Sequence, residues 1–156
     1  MKVLFMCTAN SCRSVLSEGL FNHLAPEGMH AVSCGSFPSG RLNPRAVSTL
    51  ESLGVETSTL HSKGAESFQD SPPDIVITVC DQASGEPCPV YFGPAVKSHW
   101  GLADPSAVQG SDDEIQAAFD ACVMQIRQRF AAFFALDHEA LAPAGLKQAL
   151  DRIGEP

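Results

Sequence analysis

Residues 7–14 read Cys-Thr-Ala-Asn-Ser-Cys-Arg-Ser, with a cysteine at the end of an apolar run and an arginine six positions later. If this stretch curls into the start of a helix, the backbone N–H groups of residues 8 to 13 point inward. The helix dipole then adds positive potential at the same place. Thr8, Ala9, Asn10, Ser11, Cys12 and Arg13 would form an oxyanion cradle, with the Arg13 guanidinium as a planar, two-pronged donor. The same field favours the thiolate of Cys7, and Ser14 is spaced to hydrogen-bond it. The chemistry open to this stretch is attack by sulfur on a bound tetrahedral oxyanion. The plainer alternative is a buried strand cysteine followed by a surface arginine. Cys-x5-Arg recurs by chance, and only its place between a strand and a helix makes it specific. No G-x-x-x-x-G-K stretch is present, so the loop is not of the Walker type.

Such a loop needs a strand before it and a helix after it. Residues 2–6 read as a buried strand, and from Ser14 the spacing of Val15, Leu16, Leu20 and Leu24 predicts a helix that stops at Ala25-Pro26. A second short strand is expected over 30–34, then a Gly/Pro/Ser loop to Pro44 and a helix over 45–53 that ends at Gly54. Residues 74–80, Asp-Ile-Val-Ile-Thr-Val-Cys, form a nearly unbroken β-branched run that suits a strand covered on both faces. A Gly- and Pro-rich loop follows over 81–95, then a candidate fourth strand over 96–102. The strongest helix is 111–136, opened by a Ser111/Glu114 capping box with Asp112 and Asp113 in its first turn. Residues 144–153 suggest a last short helix. Strands alternating with helices imply a parallel α/β sheet. Ligands of such sheets sit at the carboxyl ends of the strands, which puts Cys7 and Cys80 on the same edge.

The 156 residues suit one domain, and the net charge of −8 argues against nucleic acid or an anionic membrane as partner. Any anion site must therefore be a local positive pocket. No run is long enough to span a bilayer, the apolar start is too short for a signal-peptide core, and the expectation is a cytoplasmic protein. In a reducing compartment the six cysteines (7, 12, 34, 80, 88 and 122) read as reactive or merely buried thiols rather than static disulfides. Their spacings do not make a zinc ribbon, and no histidine pair completes a metal set.

Residues 7–14 resemble the phosphate-binding loop of the low-molecular-weight tyrosine phosphatase superfamily. With Ser33-Cys34-Gly35, the Cys80/Cys88 segment and His99-Trp-Gly-Leu-Ala-Asp-Pro105, the chain is most similar to the three-cysteine arsenate reductase branch, from Met1 to about residue 135. The resemblance implies a four-stranded parallel sheet flanked by helices. It leaves 137–156 as a C-terminal extension without assigned chemistry. It makes Cys7 the nucleophile, Cys80 the first resolving thiol and Cys88 the final one, recharged without a cofactor by thioredoxin, with glutaredoxin or another thiol donor as the alternative. Asp104, followed by Pro105, matches the general acid that protonates the leaving oxygen; the alternative is a plain Asp-Pro turn. The expected substrate is arsenate, with phosphate or sulfate as competing oxyanions. Two other readings stay open: a tyrosine phosphatase of the same fold, and a non-enzymatic thiol redox sensor. The phosphatase branch has tyrosines just after the Asp-Pro, where this chain has Ser106 and Ala107; the sensor needs neither Arg13 nor Asp104.

The chain departs from these relatives in two places that matter. Ala9 stands where the family usually has glycine, which would strain the loop if that residue needed a positive φ. Some reductases of the branch bind potassium beside the loop. Asn10, Glu18 and Ser33 match three of its ligand positions, but the aspartate expected as the fourth is absent and Lys63 lies near its place. The expectation is that no metal is held and that the Lys63 ammonium replaces the cation; the alternative is a solvated surface lysine. Cys34 is expected to be structural, Cys122 to belong to the core, and Cys12 to fill space within the cradle.

Overall fold

A computed structural model describes residues 1–68, 70–81, 91 and 93–156. Four strands, β1 (Lys2–Cys7), β2 (His30–Gly35), β3 (Ile75–Thr78) and β4 (Val96–His99), form one sheet in the order β2-β1-β3-β4. All neighbours are parallel, with Leu4 opposite Val32 on one side and Val76 on the other. The central strand β1 is buried from Val3 onward, which is why its sequence is apolar at consecutive positions rather than alternate ones. Its two faces nevertheless serve different cores. Val3, Phe5 and Cys7 face the larger one, while Leu4 and Met6 join Cys34 and Val76 in a smaller one, packed by Phe68, Tyr91 and Ala95.

The helices α1 (Arg13–Leu24), α2 (Pro44–Ser52), α3 (Asp112–Phe134) and α4 (Pro143–Ile153) all contribute to the larger core. Helix α2 is started by Asn43, whose side chain accepts from the N–H groups of Arg45 and Ala46, and by Pro44 at its first position. The expected capping box of Ser111 and Glu114 starts α3. At the start of α1, by contrast, Cys12 makes no side-chain cap bond. The larger core is aromatic at its centre. Phe21 of α1 meets the rings of Phe5, Phe130, Phe133 and Phe134 at 5.1–5.9 Å between centroids. Trp100 closes the cluster against Phe5, Phe130 and Phe133.

Several boundaries differ from the sequence expectation, the ends of the strands among them. Strand β3 stops at Thr78, two residues before Cys80. Strand β4 stops at His99, although Trp100 N–H still donates to the Thr78 carbonyl and Leu102 N–H to Val79. The chain peels away from the ladder gradually there. Strand β2 runs on to Gly35, one residue past its expected end, with Cys34 inside it opposite Met6.

Because Phe21 is wholly buried and touches four aromatic rings, Phe21→Ala should destabilise the protein by about 3–5 kcal/mol. Urea unfolding should show a lower midpoint with an unchanged slope; a shift below about 1 kcal/mol would contradict this account of the core.

Candidate active site

The cradle is shaped from outside by the loop that follows β2. Ser36 N–H donates to the Cys7 carbonyl, Phe37 N–H to Thr8, Ser39 N–H to Ala9 and Asn43 N–H to Ser11, at 2.9–3.2 Å. In a trans peptide the C=O of one residue and the N–H of the next point opposite ways. Tying the carbonyls of residues 7, 8, 9 and 11 to the outer loop therefore turns the N–H groups of residues 8, 9, 10 and 12 away from it. Ser62 adds a second donor to the Ala9 carbonyl. Gly35 lets the two loops meet, since a Cβ there would lie 2.4 Å from the Thr8 carbonyl oxygen.

One residue of the cradle has a left-handed backbone: Asn10, with φ of 49°. Ala9 does not need it, so the absent glycine leaves no strain at that position. Asparagine is among the residues that tolerate this conformation best. The Asn10 side chain is fully buried, and its amide orientation is fixed by chemistry. Its Oδ1 accepts from the Lys63 backbone N–H, which can only donate, so its Nδ2 must supply the bonds to Ser14 Oγ and Ser33 Oγ at 2.8 and 2.9 Å. Ser14, now an acceptor from Asn10, has its own hydrogen free for Cys7 Sγ, 2.9 Å away. Ser33 passes its hydrogen to Glu18 Oε1 at 2.6 Å, and Lys63 Nζ lies 3.6 Å from the same oxygen. Lys63 thus places its ammonium beside Glu18 and its main-chain N–H on Asn10. Among the described residues no cluster of three or more His, Cys, Asp or Glu side chains could hold a metal.

Cys7, Thr8, Ala9, Ser11, Cys12, Arg13, Asp104 and Ser106 line a cleft of about 170 Å³. Arg13 is buried; its Nη1 donates to the Leu102 carbonyl and its Nη2 lies 3.6 Å from Asp104 Oδ2. Asp104 is half-buried, and its other oxygen accepts from the N–H and hydroxyl of Ser106, starting a 3-10 turn at Pro105. Asp104 therefore both starts the Asp-Pro turn and lies beside Arg13 at the cleft. The Thr8 hydroxyl, next in sequence to Cys7, is buried and has no hydrogen-bond partner among the described residues.

The remaining thiols sort by environment. Cys7, Cys12, Cys34 and Cys122 are free, whereas Cys80 is disulfide-bonded. Cys88 lies outside the described residues. Burial pushes the Cys34 thiol up to about 12 and Cys122 to about 11. Burial also raises Cys12 strongly, helped by the Asp104 carboxylate and opposed by Arg13. Sequence reasoning missed the loop at 36–43, Ser62 and the Leu102 carbonyl. The loop and Leu102 act through their own main-chain atoms and Ser62 through a hydroxyl on a main-chain carbonyl, none of which leaves a distinctive signature in residue type.

A strand-end thiol and a buried arginine thus share one cleft with a loop whose carbonyls are tied outward, on a four-stranded parallel sheet. The chain belongs to the low molecular weight phosphotyrosine protein phosphatase family, whose model matches residues 2–146. It is 32% identical over 131 residues to a Bacillus subtilis protein named arsenate reductase, an alignment that covers 84% of this chain and 93% of that one. Among solved structures it resembles a Corynebacterium glutamicum thioredoxin-dependent arsenate reductase at 27% identity and TM-score 0.60, covering 83% of this chain and 60% of that one. An arginine phosphatase from Geobacillus stearothermophilus shares the fold at 18% identity and TM-score 0.58, over 88% of this chain and 98% of that one.

The raised thiols predict an alkaline weakness. A thiol near its ordinary value of 9.0 in the unfolded chain but at about 12 when folded stabilises fully below pH 9 and progressively less above it. Stability should therefore decline from about pH 9 upward, and Cys34→Ala should flatten that decline in urea titrations run across the range. An equally steep decline in the variant would show that Cys34 is not its source.

Proposed function

We propose that this chain reduces arsenate to arsenite by a relay through three thiols. The observation that supports it most is the Cys7–Ser14–Asn10 hydrogen-bond chain beneath a cleft that also holds Arg13 and Asp104, in a chain whose relatives are named arsenate reductase. Arsenate sits among the cradle amides and Arg13. The Cys7 sulfur attacks arsenic while Asp104 protonates the departing oxygen, which leaves as water and gives a sulfur–arsenic(V) adduct. The Cys80 thiolate then attacks Cys7; the sulfur–arsenic bond breaks, its electron pair reduces arsenic to the trivalent state, and arsenite departs. Cys88 attacks Cys80 and frees Cys7, and a dithiol protein of the thioredoxin kind reduces the Cys80–Cys88 pair. Cys80 in a disulfide with Cys7 free is the pattern expected after the last exchange.

The cleft also suits this substrate by size. Its described lining has no aromatic side chain, and the position that follows Asp104-Pro105 is Ser106. A small inorganic oxyanion needs no aromatic wall, whereas an aryl phosphate gains from one. Slow hydrolysis of aryl phosphates is still expected, because the same cradle and acid serve it.

Arsenate-dependent NADPH oxidation coupled through thioredoxin and its reductase tests the relay. Wild-type turnover with none in Cys7→Ser or Cys88→Ser is expected; full activity in Cys88→Ser would refute the three-thiol scheme. Asp104→Asn should lower kcat by about a hundredfold, the lower end for a lost general acid. An unaltered rate would remove Asp104 from the mechanism.

In this reading the Lys63 ammonium fills the role of a cation beside Glu18. Exchanging sodium for potassium at constant ionic strength should leave both the melting temperature and the turnover unchanged. A marked rise with potassium would overturn the assignment.

A further inference from the structure

The segment that carries Asp104 is anchored one residue at a time. Trp100 N–H and Leu102 N–H reach back to Thr78 and Val79, and the Leu102 carbonyl accepts from Arg13. The carbonyl between them, that of Gly101, accepts from Nη1 of Arg129 at 3.0 Å. Arg129 lies on α3 and is 7% exposed, and its Nη2 reaches the Gly154 carbonyl at 3.5 Å. Among the described residues it faces no carboxylate within ion-pair distance; the two carbonyls are the partners of a buried guanidinium. Burying a charge for two neutral acceptors is costly, so Arg129 is a poor device for stability alone. Its planar fork is suited instead to fixing two pieces of chain relative to each other.

The second of those pieces is the end of α4. This helix is fastened to the same segment by three further bonds. Trp100 Nε1 donates to the Leu150 carbonyl, Ser98 Oγ to Asp151, and Lys147 Nζ to the Lys97 carbonyl. At its end the approach is so close that a Cβ on Gly154 would lie 2.4 Å from the His99 carbonyl oxygen. Gly154 has an ordinary φ of −76°, so glycine is required there for space and not for conformation.

We propose that Arg129, clamped between the Gly101 and Gly154 carbonyls, is a positioning residue for Asp104, and that α4 is the abutment it works against. The inference rests on Asp104 being the general acid. It does not rest on the thiol relay, so the test uses phosphate esters, whose hydrolysis needs the acid but neither Cys80 nor Cys88. Phenyl phosphate has a poor leaving group that must be protonated; p-nitrophenyl phosphate has a good one that depends on the acid far less.

Arg129→Met should lower kcat on phenyl phosphate about tenfold more than on p-nitrophenyl phosphate, with KM little changed. Arg129→Lys, which keeps the charge but not the fork, should recover only part of that ratio. In an Asp104→Asn background, Arg129→Met should leave the ratio where Asp104→Asn alone puts it, because the two residues act as one unit. Gly154→Ala, which keeps the Arg129 side chain but pushes its Gly154 partner away from His99 and Trp100, should shift the ratio the same way and serves if Arg129→Met does not fold. Equal losses on the two esters, or additive effects in the double variant, would overturn the proposal. If the wild-type chain hydrolyses neither ester, the comparison is made on arsenate-dependent turnover, where Arg129→Met should cost nothing beyond Asp104→Asn alone; a further loss in the double variant would overturn the proposal.

Discussion

The site depends on one buried amide. Asn10 accepts a backbone N–H through one end and donates to two serine hydroxyls through the other, and it does so from a left-handed backbone. Each bond removes an ambiguity. The accepted N–H fixes which way the amide lies; the amide then fixes which way the Ser14 hydroxyl points, and the hydroxyl points at Cys7. A chain of three side chains thereby transmits the position of the 61–64 segment to the Cys7 sulfur. Because every member is buried, an unmatched donor or acceptor would cost roughly 1–3 kcal/mol, so the network is held as a set. Glu18 and Lys63 complete it by balancing the charge at its far end.

Around that network the fold supplies directions more than contacts. Parallel strands bring the ends of β1 and β3 to one edge, which places Cys7 near the chain that leads to Cys80. Helix α1 starts within the cradle and leaves its first turn without a side-chain cap, so the end of its dipole stays available to an anion. The aromatic cluster of Phe5, Phe21, Phe130, Phe133 and Trp100 locks α1 and α3 onto the sheet. It fixes the helix start that the cradle requires and the helix that carries Arg129.

Much of this was legible in the residues. The apolar run before Cys7, the β-branched stretch 75–78 and the Ser111 capping box each act locally, and each forms the expected element. The Cys7-to-Arg13 spacing pointed to the cleft because both ends are chemically distinctive. What could not be read was anything carried by main-chain atoms. The bonds from residues 36–43 to the cradle look, in sequence, like an unremarkable Gly/Pro/Ser loop. The left-handed position fell at Asn10 and not at Ala9, because a missing glycine marks where relatives use one and not where this backbone turns. Residues 137–156 looked like an appended tail, since Arg129 and Gly154 gain meaning only once α4 is seen against β4.

The outer loop that grips the cradle carbonyls has a consequence for the cycle as a whole. Its four main-chain bonds engage neither the sulfur, the arginine nor any bound anion. The cost of ordering the cradle is therefore met once, when the chain folds, and is not renewed at each binding event. In the proposed relay the charge and the bonds of Cys7 would change from step to step, whereas the bonds that aim the amides around it belong to the outer loop. Such a site has little reorganisation energy, and its empty form is already the shape that the next oxyanion meets.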